Sequence, residues 1–239
     1  MSPDPTRLLK LLGLTTPVIG LYDAPDHTAF TPVVTPTPQK RTCCFAFYPG
    51  WADGKTLLLT AENCGCLGAG RALCGLEPRA REDFLKFLVD GEGLKASRDL
   101  MGAWVDTTPV YRRTHPNVLI GPLRPSQDEY LRTVTFYANP DQLSALCIGA
   151  QYDSAPSDPP PVLAPFGAGC MQMICPFRDL SVAQAAIGAT DIAMRPHLGA
   201  DLLAFSMTKP MFARLCALDE RSFLYKPFWK NLQRARGLA

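Results

Sequence analysis

Three cysteines and three glycines crowd the stretch from Cys64 to Cys74, within the run ENCGCLGAGRALCGL. Thiolates are soft ligands, and an iron–sulfur cluster is normally held by four of them. A glycine-rich backbone can curl around such a centre and point amide N–H groups at its sulfurs. Cys64 and Cys66 flank one glycine, and Cys74 follows eight residues after Cys66. That spacing matches neither a ferredoxin ligand run nor a zinc CxxC pair, so other ligands must come from elsewhere. Cys43 and Cys44 lie upstream, and Cys170 and Cys175 downstream. The downstream pair follows Gly167-Ala168-Gly169, an echo of Gly68-Ala69-Gly70. The ligands would be drawn from Cys43, Cys44, Cys64, Cys66, Cys74, Cys170 and Cys175. Gly68, Gly70, Gly167 and Gly169 would form the cradle.

Two further residues carry possible chemistry. Arg195, in TDIAMR, is four residues from Asp191 and could pair with it or hold a substrate carboxylate or phosphate. Glu62, just before the cysteine stretch, is a candidate acid or base. With three thiolates, one metal position would stay open for Lewis-acid chemistry on a small anionic substrate; with four, the site would pass electrons to a redox partner protein. Two rivals remain open. One is a metal-free thiol enzyme or small-molecule-binding protein, using Cys66 or Cys170 with a thiol pKa lowered by a helix N-terminus. The other is a structural zinc site, although only three histidines occur and none adjoins a cysteine. The glycine loop follows a strand-like run, but it lacks the dinucleotide fingerprint and the P-loop lysine. Cys147 and Cys216 sit in apolar helical patterns and read as small hydrophobes.

The whole chain narrows these options. Its 239 residues suffice for a large core, 47% are apolar and 19% charged, and the net charge is only +2. A strongly basic nucleic-acid binder is therefore not indicated, and no run approaches the roughly 20 apolar residues of a membrane span. The N-terminal run MSPDPTRLLKLLGL lacks a signal-peptide cleavage pattern, which points to the cytoplasm. Nine cysteines cannot all pair within one chain, and a reducing cytosol would oppose pairing. A homo-oligomer is compatible with this composition.

The elements that must position the cysteines follow from periodicity. Helices are expected over Pro5 to Gly13, Ala69 to Leu76, Arg79 to Val89, Ser97 to Trp104, after Asn139-Pro140, and over Pro210 to Leu218. Strands are expected at Pro17 to Asp23, Lys55 to Thr60, Asn117 to Leu123, Thr133 to Ala138, Ala185 to Ala189 and Leu202 to Met207. Residues 24–39, with four prolines, read as a loop or an edge. The interspersed pattern predicts an α+β fold: a single domain over 1–239 with a mixed, largely antiparallel sheet and flanking helices. The proline-rich 153–161 reads as a connector, and 221–239 as a basic terminal helix.

LTAENCGCLGAGRALCGL, the upstream Arg41-Thr42-Cys43, and the later GAGC and GATDIAMR segments together resemble domain-of-unknown-function family 169. This family is common in archaea and anaerobic bacteria. The likeness spans roughly residues 5 to 218. It implies one cysteine in each of three segments, at Cys43, Cys66 and Cys170, and an arginine at Arg195. Cys44, Cys64, Cys74 and Cys175 are additions in this chain, and the ligand set this implies is Cys43, Cys66 and Cys170 with Cys64, Cys74 or Cys175 as the fourth. The resemblance supports a single fold and carries no settled activity; anaerobic metabolism is the setting it implies.

Overall fold

Alternating apolar positions on six strand runs need two covering layers, and the protein supplies them on the two faces of one sheet. The computed structural model describes residues 3–36, 43–60, 62–63, 73 and 81–237. Among these, eight strands form the sheet: β1 (Ile19–Ala24), β2 (Val33–Val34), β3 (Thr56–Leu59), β4 (Asn117–Pro122), β5 (Leu131–Ala138), β6 (Val162–Leu163), β7 (Ala185–Gly188) and β8 (Leu203–Thr208). Their spatial order is β2-β3-β4-β1-β5-β8-β7-β6. The fold is α+β, as expected, but the sheet is mixed rather than largely antiparallel: β2 runs parallel to β3 and β6 parallel to β7, at the two edges. A parallel neighbour needs a long crossing connection rather than a hairpin. Residues 35–55 and 164–184 provide those crossings.

The sheet order hides a duplication. Ile19 to Ala24 answers to Thr133 to Ala138, Val33–Val34 to Val162–Leu163, Thr56–Leu59 to Ala185–Gly188, and Asn117–Pro122 to Leu203–Thr208. Every strand pairing then recurs, most residue pairs at the equivalent position. Tyr22 opposite Leu119 becomes Phe136 opposite Phe205, Leu58 opposite Leu119 becomes Ile187 opposite Phe205, and Val33 beside Thr56 becomes Val162 beside Ala185. Gly20 pairs with Val134, its own counterpart. An approximate twofold thus runs through that pair, and the two crossing segments are equally long.

Helices cover one face. α1 (Thr6–Leu12) ends at Gly13, whose left-handed φ of 64° lets its N–H reach back to Leu9 and Lys10. Residues Tyr48–Ala52 form α2, Arg81–Lys86 α3 and Arg98–Thr107 α4. α5 (Pro140–Gln151) starts on a reciprocal Asn139–Gln142 capping box, and α6 (Lys209–Cys216) on the Thr208 hydroxyl. The basic tail folds as α7 (Pro227–Ala235), docked by Trp229 and Gln233 donating to the Leu11 carbonyl. α1, α5, α6 and α7 pack Leu12, Leu146, Phe212 and Trp229 against Tyr22, Leu119, Phe136 and Phe205 of the sheet. The proline-rich 153–161 joins α5 to β6 within the same sheet. Among the described residues no helix is long and apolar enough to cross a membrane.

The opposite face carries Ile19, Leu21, Leu57, Leu59, Val118, Ile120 and Tyr137. Short 3-10 turns, irregular segments, the helix α2 and Trp104 of α4 cover it, and Cys43, Cys44, Cys170 and Cys175 lie in these segments.

Candidate functional site

Each half contributes one crossing segment to this second layer. In the first half, Cys43 precedes a 3-10 turn over Cys44–Phe47; in the second, Cys170 precedes a turn over Met171–Met173. Cys44, Cys170 and Cys175 are buried in the layer and Cys43 packs against it. The two segments touch: a Cβ built on Gly169 would lie 2.9 Å from Cε2 of Phe45. The structure therefore brings the Cys43–Cys44 and Cys170–Cys175 regions onto one side of the sheet. Cys147 in α5 and Cys216 at the end of α6 pack on the other side, against the helical layer, as small hydrophobes do.

Cys64, Cys66, Cys74, Gly68 and Gly70 lie outside the described residues, as does the helix expected from Ala69. Two flanking residues are described. The Asn63 side chain accepts from the Thr60 N–H at 2.7 Å, at the end of β3, and Leu73 is fully buried in the second layer. Among the described residues no group of three or more histidine, cysteine or acidic side chains is placed to hold a metal ion. The Gly167–Gly169 echo of Gly68–Gly70 is not the repeat the fold carries. Gly167 and Gly169 lie between β6 and β7, and their topological counterpart is 35–55, between β2 and β3.

Four aromatic rings line the layer beside these thiols. Trp51 stacks on Tyr137 with centroids 6.5 Å apart and planes 18° from parallel. Phe45 and Tyr48 meet Tyr137 edge-on at 6.2 and 4.9 Å, and Phe45 meets Trp51 edge-on at 5.7 Å. Tyr137 Oη and Trp51 Nε1 are buried and find no hydrogen-bond partner among the described residues. Each such group costs on the order of 1–3 kcal/mol when left unsatisfied. Burial, then negative charge on Tyr48 and Cys170, opposes ionisation of Tyr137 and pushes it well above an ordinary phenol.

At the position equivalent to Tyr137, β1 carries Asp23, a buried carboxylate that the sequence reading missed. It accepts from the Tyr111 hydroxyl at 2.7 Å, from Thr114 N at 2.7 Å and Oγ1 at 2.9 Å, and from His115 N at 2.8 Å. His115 Nδ1 lies 3.2 Å away and Arg132 Nε 3.9 Å. Burial alone would raise this carboxyl, but the bonds from Thr114, Tyr111 and His115 outweigh it and hold it below the usual carboxylate range. Asp23 thus pins residues 111–115 across the strand ends. The Tyr111 backbone N–H in turn faces the Cys175 thiol, which burial lifts to about 11. An acid on the same strand alternation as Ile19 and Leu21 was the available signal.

The two non-cysteine candidates have defined surroundings. Arg195 donates through Nη1 to the carbonyls of Ala189 and Leu202, and through Nη2 to those of Gly199 at 3.1 Å and Ala200 at 2.9 Å. It closes the loop between β7 and β8. Glu62 is exposed, and a hydrogen bond from the Thr60 side chain lowers its carboxyl pKa. A general acid needs the opposite shift.

Sheet, twofold and thiol-bearing crossings define an α+β protein with one cysteine-rich layer. The family model described as uncharacterised ArCR, domain-of-unknown-function family 169, matches residues 7–217, and the chain belongs to that family. No curated protein and no solved structure matches the chain.

Proposed function

We propose that the protein holds a thiolate-ligated metal centre in its second layer, an iron–sulfur cluster of 4Fe-4S type, and works in the cytoplasm in anaerobic redox chemistry. The observation that carries this reading is the convergence of two equivalent cysteine segments, joined at the Phe45–Gly169 contact, on one apolar layer. Cys43 and Cys170 would contribute one ligand from each half. Cys66 would contribute from the stretch that Asn63 and Leu73 bracket, and Cys64, Cys74 or Cys175 would complete the set. When bound, the cluster supplies one-electron chemistry. The chain's residues exclude water: Cys44, Cys170 and Cys175 are each at most 5% exposed.

That burial favours electron transfer or redox sensing with a partner protein over binding of a small anionic substrate, and Arg195 is already turned onto carbonyls. In the rival reading, a metal-free thiol enzyme, Cys66 or Cys170 would be the nucleophile; burial raises the Cys175 thiol, which does not suit that role. Elemental analysis of anaerobically purified protein tests the proposal. Iron and acid-labile sulfide should be present and should fall in Cys43→Ala, Cys66→Ala and Cys170→Ala variants. Zinc at one equivalent would replace the cluster with a structural site. A metal-free chain, indifferent to all three changes, overturns the proposal.

A further inference from the structure

We propose that His115 is a general base, its ring positioned by the buried Asp23 and its Nε2 open to a small oxyanion held by Arg132. None of these residues belongs to the proposed metal centre. The tautomer of the ring follows from the hydrogen bonds around it. Nδ1 has two polar neighbours, Asp23 Oδ1 at 3.2 Å and Thr114 Oγ1 at 3.0 Å. Asp23 is ionised at neutral pH, with a pKa below the ordinary value despite its burial, and can only accept. The Thr114 hydroxyl commits its one hydrogen to Asp23 Oδ2 at 2.9 Å, so toward the ring it also accepts. Both neighbours therefore call for a hydrogen on Nδ1, which leaves Nε2 of the neutral ring bare. Nothing among the described residues bonds Nε2, and the side chain is 31% exposed. The fully buried carboxylate also faces the charge that a protonated ring would carry, and stabilises it.

Arg132 shares Thr114 with the histidine. Its Nη2 lies 3.4 Å from Thr114 Oγ1, its Nε donates to Tyr111 Oη at 3.2 Å and its Nη1 to the Glu129 carbonyl at 3.1 Å. Three of its five donors are thus engaged among the described residues, and two remain for an outside acceptor. A guanidinium beside a bare imidazole nitrogen suits a small acid with an anionic oxygen: the first holds the charge, and the second takes the proton. Closing the loop does not demand this arrangement. The residues leading into β8, the counterpart of β4, are closed by Arg195 on the carbonyls of Gly199, Ala200 and Leu202, and Tyr137 stands where β1 has Asp23. The first half instead buries a charge, which is costly unless many donors surround it. What that arrangement adds is an oriented imidazole.

The test uses the full chain with nitrogen-15-labelled histidine. Only three histidines occur, and a His115→Gln variant identifies the signals of this one. At about pH 8.5, above the ordinary histidine range, two-bond proton–nitrogen spectra should show Nδ1 protonated and Nε2 bare at His115. Asp23→Asn offers Nδ1 an amide that donates as well as accepts, so the ring should become a mixture of tautomers. Where that variant does not fold, the wild-type spectrum decides, because an Nε2–H ring in the wild type overturns the base. Inorganic phosphate near pH 7 carries both an anionic oxygen and a transferable proton. At constant pH it should shift the His115 signals along a saturable single-site curve and leave those of His27 and His197 in place. Arg132→Gln should weaken that binding about tenfold. Phosphate that moves all three histidines alike, or none, overturns the oxyanion site, and undiminished binding in Arg132→Gln overturns the role of the arginine.

Discussion

Phe45 lies against Gly169 with no room for another carbon between them: an added Cβ would stand 2.9 Å from Cε2 and 3.3 Å from Cζ of the ring, and 3.1 Å from Cγ of Met194. This contact joins the cysteine segments of the two halves. The Met194 chain can turn away, but the Phe45 ring is held by Trp51 and Tyr137. Gly169→Ala should therefore cost about 1–3 kcal/mol, the usual range for overpacking. In a chain of this size that lowers the melting temperature by roughly 2–4 °C per kcal/mol. Uptake of iron by the proposed centre should fall with it, because the segments must separate. A melt and metal content equal to wild type would show that the contact does not set their spacing.

Asp23 gives a pH prediction with a definite sign. Its folded pKa lies below the unfolded value of about 3.9, so its stabilisation is fully present above that value. It is lost as pH falls through the folded pKa. Asp23→Asn turns an amide N–H₂ toward the donors of Tyr111, Thr114 or His115 and should cost about 3 kcal/mol at neutral pH. Urea melts from pH 7 down to pH 3 should converge for wild type and variant as the acid limit approaches. Parallel curves would mean that the carboxylate charge contributes nothing to stability.

Much of the sheet could be read directly. The runs at 17–23, 55–60, 117–123, 133–138, 185–189 and 202–207 all became strands, because apolar alternation between turn residues is a local signal. The two-residue edge strands Val33–Val34 and Val162–Leu163 are too short to show a period, and they supply both parallel pairings. The twofold was hidden because IGLYDA and TVTFYA share alternation rather than identity. The Gly-Ala-Gly echo has no part in it. Asp23 and Tyr137 could not be recognised from type alone. Whether a polar side chain in a strand is buried, and whether it is satisfied, depends on segments about 90 residues away in the case of Asp23.

The thiols should react in an order that their burial sets. Burial pushes Cys175 up to about 11 and Cys216 up to about 12, the latter aided by Asp4. Relative to an ordinary thiol this cuts the reactive thiolate at pH 8 by roughly 100-fold and 1,000-fold. Iodoacetamide pulses on the metal-free native chain, read by peptide mass spectrometry, should label both at least ~100-fold more slowly than in the urea-unfolded chain. Rapid native labelling of Cys175 would show that burial does not hold its thiol protonated.

Arg195 closes the loop between β7 and β8 through a planar fork that a lysine cannot reproduce. Arg195→Lys keeps the charge but presents a single ammonium to carbonyls of Ala189, Gly199, Ala200 and Leu202. Leaving some of these acceptors without a donor should cost about 1–3 kcal/mol. Limited proteolysis should then cut within 190–202 before any other described segment. If the arginine instead held an anionic substrate, the loop would stay resistant in the lysine variant and added phosphate or carboxylate would raise the wild-type melting temperature. Its guanidinium contacts predict the first outcome, because the groups that would grip an anion already support the turn that ends in β8.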